Sequence, residues 1–278
     1  MGNQINLRDS FNAISDVVNN RPRPLREFDQ IFMKAADMLL QADQVSKYLG
    51  GKRVVCIGDG DAIGLCLVHL HNRSLLEKGP EHLHVLDFDE RVVLSVQRFA
   101  KTYNIEDRVS SELYNVADPL PEVHWQNFDG FYTNPPFGAS NKGASVKAFI
   151  RRGIEAVGNS GVGCLVIADD QKHPWSQEVL RTVQNMILEE GFLIASMMPA
   201  FHKYHLDDSP ELTSCSMTIR RINPADQEYK SVSLPKEQFK DFYGSGNSLK
   251  IRYVRDLTNG GLIESHDHEF EMLEGENL

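Results

Sequence analysis

Two textures of apolar residues meet near residue 50 of this 278-residue chain. Upstream, Phe28, Ile31, Phe32, Ala35, Ala36, Leu39 and Leu40 recur at helical spacing after the punctuation of Pro22 and Pro24, and Gly50-Gly51 ends the run. Residues 1–50 therefore read as a short helical N-terminal extension. From Lys52 onward, short apolar runs rich in β-branched residues alternate with helical patterns, the signature of a parallel sheet with crossover helices. Runs at 53–57, 83–86, 110–116, 130–133, 163–168, 193–197 and 216–222 predict seven strands, and 62–76, 92–103, 146–157 and 177–190 predict helices. Only the polar segment 201–213 separates the last two strands, which suits antiparallel pairing. The expected fold is α/β, with a Rossmann-like seven-stranded sheet over 51–225 and a C-terminal extension over 226–278.

Composition narrows the class. Apolar residues make up 41% and charged residues 24%, as in an ordinary globular protein. The net charge of −10 disfavours a nucleic-acid partner, since that affinity comes from Lys and Arg neutralising phosphates. The charge is unevenly placed: from Asp256 onward the chain carries −7 without a Lys or Arg, so the rest carries only −3. Net charge thus permits a cationic partner without demanding one. Cys56, Cys66, Cys164 and Cys215 stand singly among apolar residues, reading as reduced, buried thiols of a cytoplasmic protein. No stretch approaches the roughly 18 apolar residues of a membrane span, so no membrane is expected. The pairs His69/His71, His82/His84 and His266/His268 lack a third ligand at metal-site spacing, and no metal is expected.

Three motifs carry candidate chemistry. In Gly58-Asp59-Gly60-Asp61, a buried strand enters a glycine turn and then a helix, the arrangement by which doubly wound sheets bind cofactors. Carboxylates there suit a positively charged cofactor, a sulfonium or an amine, better than a pyrophosphate. The plain alternative for this motif is a helix-capping aspartate in an ordinary strand-to-helix turn. Asp87, followed by Asp89, ends the second strand where an acid typically accepts hydrogen bonds from a ribose diol, and Asp118 follows the third strand within reach of an adenine amino group. The fourth strand ends in Asn134-Pro135-Pro136-Phe137. Two prolines fix the backbone, so the Asn134 side-chain oxygen and the Pro135 carbonyl are expected to face a substrate amine while Phe137 stacks on a planar group or a cation. Asp169 and Asp170 end the fifth strand, where with Asp59, also a catalytic candidate, and Asp61 they are expected to hold distal ammoniums of the substrate. The segment 201–208 reads as a flap whose His202 or Tyr204 accepts the departing proton.

The order of Gly58-Asp59-Gly60, Asp87, Asp118 and Asn134-Pro135-Pro136-Phe137 resembles the class I S-adenosylmethionine-dependent transferases. A closer likeness lies in Gly58-Asp59-Gly60-Asp61, in Asn134-Pro135-Pro136-Phe137-Gly138-Ala139-Ser140-Asn141-Lys142-Gly143-Ala144-Ser145-Val146 and in Arg151-Arg152-Gly153-Ile154-Glu155-Ala156. Together these are similar to the branched-chain polyamine synthase family, the N4-bis(aminopropyl)spermidine synthases, over roughly residues 50 to 225. The resemblance implies a class I methyltransferase-like fold. It implies transfer of an aminopropyl group from decarboxylated S-adenosylmethionine to the secondary amine of a linear polyamine, releasing methylthioadenosine. Asp59 and Asp61 match the family's acidic glycine loop, and Asp87 its ribose-binding acid. This chain departs in having Gly58-Asp59-Gly60-Asp61 where characterised synthases have Gly-Asp-Asp-Asp, and in having about 50 residues before its first strand where they carry a larger winged-helix domain. The alternative enzyme is an S-adenosylmethionine-dependent N-methyltransferase acting on a nucleobase or protein amide, favoured by Asn134 to Phe137 and opposed by the shortage of basic residues. A third class is a non-catalytic module that binds a nucleoside or polyamine. The expected partner is a small-molecule polyamine, without nucleic acid or membrane, and a homodimer stays open.

Overall fold

Seven strands form one sheet in the computed structural model, which describes residues 6–158, 160–204, 211–222, 230–258 and 267–274. They are β1 (Arg53–Ile57), β2 (His82–Asp87), β3 (Val109–Leu113), β4 (Gly130–Thr133), β5 (Val162–Ala168), β6 (Phe192–Lys203) and β7 (Thr213–Arg221). Their spatial order is β3-β2-β1-β4-β5-β7-β6. The first five pair in parallel, while β7 lies antiparallel to both β5 and β6. The antiparallel pair forms where no helical pattern separates the strands, because a parallel pairing would need a longer crossover. The expected α/β, Rossmann-like sheet is present. β6 runs further than its apolar core of 193–197 suggested, continuing to Lys203 through two register shifts.

Among the described residues six α-helices pack around the sheet: α1 (Leu7–Asn20), α2 (Ala35–Leu49), α3 (Ile63–Asn72), α4 (Glu90–Tyr103), α5 (Ala144–Val157) and α6 (Pro174–Glu189). Alternate residues of each strand feed two cores. Val54, Cys56, Leu83 and Val85 pack with α1 to α4 on one face. Val55, Ile57, Leu86 and Phe131 pack with α5 and α6 on the other. All four cysteines are buried and unpaired. Among the described residues no helix is long and apolar enough to cross a membrane.

The run from Phe28 to Leu40, spaced as one helix, is helical only in its second half. Leu7–Asn20 is helical, and α2 starts only at Ala35. Between them, a short 3-10 turn over Arg26–Phe28 closes on Asp29 in the left-handed region, with φ of 56°. That residue breaks the helical period, and the chain continues without regular structure to Met33, which forms an isolated bridge with Tyr204. Phe28, Ile31 and Phe32 are thereby freed from a helix and laid across the ends of the strands.

Beyond β7, β8 (Ile251–Asp256) and β9 (His268–Met272) form a separate antiparallel ribbon that the weak apolar pattern did not reveal. Val254 N–H donates to the Phe88 carbonyl at 3.1 Å, and Leu234 N–H donates to the Ala117 carbonyl at 2.9 Å. A second anchor is the buried Arg152. Its guanidinium donates to both carboxylate oxygens of Glu155, to Ser231 Oγ, and to the carbonyls of Val116 and Val232. On the next position of α5, Gly153 lies flat on the Phe131 ring, where a Cβ would stand 2.2 Å from Cδ2.

Candidate active site

A cavity opens at the C-terminal ends of β1, β2 and β4, beside the point where strand order reverses on either side of β1. Gly58, Gly60 and Asp61 line it after β1, Asp87 and Phe88 at the end of β2, Tyr114 and Asn115 after β3, and Asn134 to Phe137 after β4. Gly58 is required twice over. Its φ of +68° favours glycine, and a Cβ there would sit 2.9 Å from Cε1 of Phe149. The loop can thus bring backbone to a ligand without a side chain between them.

The two acids of the glycine turn diverge. Asp59 turns its carboxylate into the first turn of α3, where Oδ1 accepts from Ile63 N–H at 2.9 Å and Oδ2 from Gly64 N–H at 2.8 Å. Its side chain does not line the cavity, and the helix-capping alternative describes its contacts. Burial pushes the Asp59 pKa up to about 8. Asp61 faces the cavity. Its Oδ1 accepts from Met33 N–H at 2.8 Å and its Oδ2 from Asn134 Nδ2 at 2.6 Å. Burial raises the Asp61 pKa, with the neighbouring Arg21 guanidinium working in the opposite sense. The Asn134 amide nitrogen is therefore committed to an acid, beside the expected role of its oxygen toward an amine.

Asp87 also borders the cavity. It accepts from Asp59 N–H at 3.1 Å and from Asp89 N–H at 2.9 Å. Burial first, and the Asp89 charge second, lift its pKa to about 7. Asp29 supplies a third carboxylate, with Oδ2 accepting from Phe137 N–H at 3.3 Å. Among the described residues none that lines the cavity is Lys, Arg or His. The nearby Arg21 donates to the Asp61 carbonyl at 3.1 Å and covers the Phe32 ring at 4.1 Å.

The remaining predicted residues lie elsewhere. Asp89 is buried against Arg91 through contacts of 2.9 and 2.6 Å and caps α4. Asp118 pairs with Arg252 at 2.9 Å. Asp169 accepts from Gln177 Nε2 and Ala200 N–H, and Asp170 from Lys172 N–H, so both are used by the turns after β5. None of the four lines the cavity. His202 and Tyr204 belong to the sheet edge instead of a flap, and residues 205–208 of that expected flap lie outside the described residues. His202 is fully buried between Ser214 Oγ at 2.8 Å and Gln41 Oε1 at 2.9 Å, and burial lowers its pKa to about 3. The Tyr204 hydroxyl is 2.6 Å from Ser214 Oγ, and its ring meets Phe137 edge-on at 5.7 Å.

Sequence reasoning missed the wall built by Phe28 to Phe32 and the contribution of Tyr243. The only signal for the first was the proline punctuation before it. Tyr243 comes from a segment without periodicity, which carries no signal.

Residues 9–258 match the family model of the branched-chain polyamine synthase A C-terminal domain. An N4-bis(aminopropyl)spermidine synthase of Methanocaldococcus jannaschii is 26% identical over 88% of this chain and 67% of its own length. Among solved structures, a mutein of the branched-chain polyamine synthase from Thermus thermophilus, in complex with N4-aminopropylspermidine and 5'-methylthioadenosine, superposes with a TM-score of 0.70. It shares 22% identity and covers 85% of this chain and 69% of that one. A Pyrococcus horikoshii protein provisionally named an RNA methyltransferase shares the fold at a TM-score of 0.57 and 14% identity, covering 77% of this chain and 99% of that one. The sheet is thus a class I methyltransferase-like fold. With nine-tenths of its length matched by the family model, the chain belongs to the enzyme family of the branched-chain polyamine synthase A C-terminal domain.

Proposed function

We propose that this chain is an aminopropyltransferase of branched polyamine synthesis, moving an aminopropyl group from decarboxylated S-adenosylmethionine to an amine of a linear polyamine. The observation that carries this reading is a cavity bordered by Asp29, Asp61 and Asp87, with no Lys, Arg or His among the described residues of its lining, beside Asn134-Pro135-Pro136-Phe137. Carboxylates attract a polycation, and family membership gives the reaction class.

A neutral polyamine nitrogen attacks the carbon bonded to the sulfonium sulfur. The nitrogen–carbon bond forms, the carbon–sulfur bond breaks, methylthioadenosine leaves, and a proton departs from the nitrogen. Asp61, held by Asn134 and Met33, is the group assigned to receive that proton or hold the ammonium that results. Asp87 is assigned to the ribose diol, beside the glycine loop that leaves room for the nucleoside. The donor assignment rests on charge: among the described lining residues no cation pairs with the carboxylate of intact S-adenosylmethionine, whereas the decarboxylated form has no carboxylate to pair.

Methyl transfer to an amino group is the second reading, favoured by the same Asn134 to Phe137 loop. One assay separates the two. The protein is incubated with spermidine and either S-adenosylmethionine or its decarboxylated form, and products are followed by mass spectrometry. Methylthioadenosine with a branched amine, formed only from the decarboxylated donor, is the expected result. A methylated product from S-adenosylmethionine alone would overturn the aminopropyl reading.

A further inference from the structure

We infer that His84, Glu112 and His124 form a zinc site on the α5 face of the sheet, apart from the cavity. In the β2–β3 pair His84 lies opposite Ser110 and Leu86 opposite Glu112, so the two-residue alternation of strands turns His84, Ser110 and Glu112 to one face. The short turn Glu122–His124 packs there and delivers His124. Three elements far apart in sequence thereby supply two imidazoles and a carboxylate, which residue spacing alone did not reveal.

The ligand atoms converge. His124 Nε2 is 2.9 Å and His84 Nε2 is 3.8 Å from the same oxygen, Glu112 Oε2, and all three atoms lie within 4.8 Å of one another. Tetrahedral ligands at zinc distances of about 2.0 to 2.1 Å stand about 3.3 Å apart, a value the two measured separations bracket. His84 is also set up as a ligand by its surroundings. Its Nδ1 is 2.8 Å from Ser110 Oγ, a partner that orients the ring and leaves Nε2 to the ion. That Nε2 is buried and has no hydrogen-bond partner among the described residues. A buried nitrogen facing a carboxylate and a second imidazole is accounted for by a cation between them. The Glu112 side chain is 46% exposed, which leaves an entry path and a fourth position for water. An ion here ties edge strand β3 to β2 and to the turn before β4, close to the Tyr114 and Asn115 wall of the cavity.

The test uses the untagged full chain, stripped of metal with a chelator. Zn²⁺ is titrated in competition with a chromophoric chelator, and Co²⁺ is added separately to read ligand geometry from its visible absorption. One equivalent of Zn²⁺ per chain, a raised thermal midpoint and a tetrahedral Co²⁺ spectrum are expected. Glu112→Gln and His124→Gln should each weaken binding by at least about tenfold, a floor set by what outer ligand partners already contribute. Failure of the parent chain to take up one equivalent, or unchanged uptake by Glu112→Gln, would overturn the site. Glu112→Gln decides the matter should His124→Gln fold poorly, because Glu112 is half exposed.

Discussion

Asn134 and Asp61 meet through a 2.6 Å hydrogen bond from Nδ2 to Oδ2 that joins the loop after β4 to the loop after β1. This contact fixes the one turn carboxylate that faces the cavity. Asp61→Asn keeps an acceptor for Met33 N–H but removes the charge. Turnover, read as methylthioadenosine release, is expected to fall by about a hundredfold or more, the usual weight of a positioned acid or base. The far-ultraviolet spectrum should stay unchanged. Near-normal turnover in Asp61→Asn would remove Asp61 from the chemistry.

Asp59 has a different use for its carboxyl group, since its two oxygens serve the first N–H groups of α3. Asp59→Ala leaves both donors unpaired and should lower stability by about 1–2 kcal/mol, as for a lost helix cap. Asp59→Asn retains one acceptor and should cost less. Urea denaturation of both variants tests the order.

That contrast shows where the sequence ran out. The strands, the glycine turn and Asn134-Pro135-Pro136-Phe137 were legible because period-two apolar runs and residues that restrict φ act locally. Whether an aspartate after a strand caps the next helix or faces a ligand depends on one side-chain rotamer, which spacing does not specify; Asp59 and Asp61 took opposite courses. The wall from Phe28 to Phe32 was hidden because its apolar spacing mimics a helix until Asp29 enters the left-handed region. His124 could not be joined to His84 and Glu112 by spacing, since β2, β3 and the turn before β4 meet only in the folded sheet.

Buried acids also set a pH dependence. Burial raises Asp59 to about 8 and Asp87 to about 7 from an ordinary 3.8. The folded chain then holds protons that the unfolded chain has released. Their contribution is full below the ordinary value and is lost as pH rises through 7 and 8. Below about pH 6.5 buried His202 acts in the opposite sense, so the clean window lies above it. Unfolding free energy from urea titrations should drop by about 2 kcal/mol between about pH 6.5 and about pH 8.5. Asp59→Asn should flatten that drop; an equally steep one would assign it to other groups.

Arg152 and Glu155 form a buried pair at 2.9 Å that also binds Ser231 and the carbonyls of Val116 and Val232. Arg152→Met strands the Glu155 carboxylate and should cost about 3–5 kcal/mol. Adding Glu155→Leu removes the stranded charge and should recover a large part of that loss. The comparison is made in urea unfolding, and a double variant no better than Arg152→Met would place the cost in the lost carbonyl contacts.

Gly153 belongs to the same stretch of α5, and its role is clearance. A Cβ at this position would lie 2.2 Å from Cδ2 and 2.4 Å from Cε2 of Phe131, an inward-facing ring of β4 at 0% exposure. Neither the helix backbone nor a central strand can yield easily, so Gly153→Ala should destabilise by about 1–3 kcal/mol despite the better helix propensity of alanine, which favours it by about 1 kcal/mol. The strain is specific to one ring. Phe131→Leu alone opens a cavity and is destabilising too, but in the double variant the added methyl occupies part of that space, so the two costs should sum to more than the measured loss. A double-mutant cycle in urea tests this. Additive costs would mean that α5 moves off the sheet to accept the methyl; because Asn134 to Phe137 link β4 to that helix, turnover should then fall in Gly153→Ala together with stability.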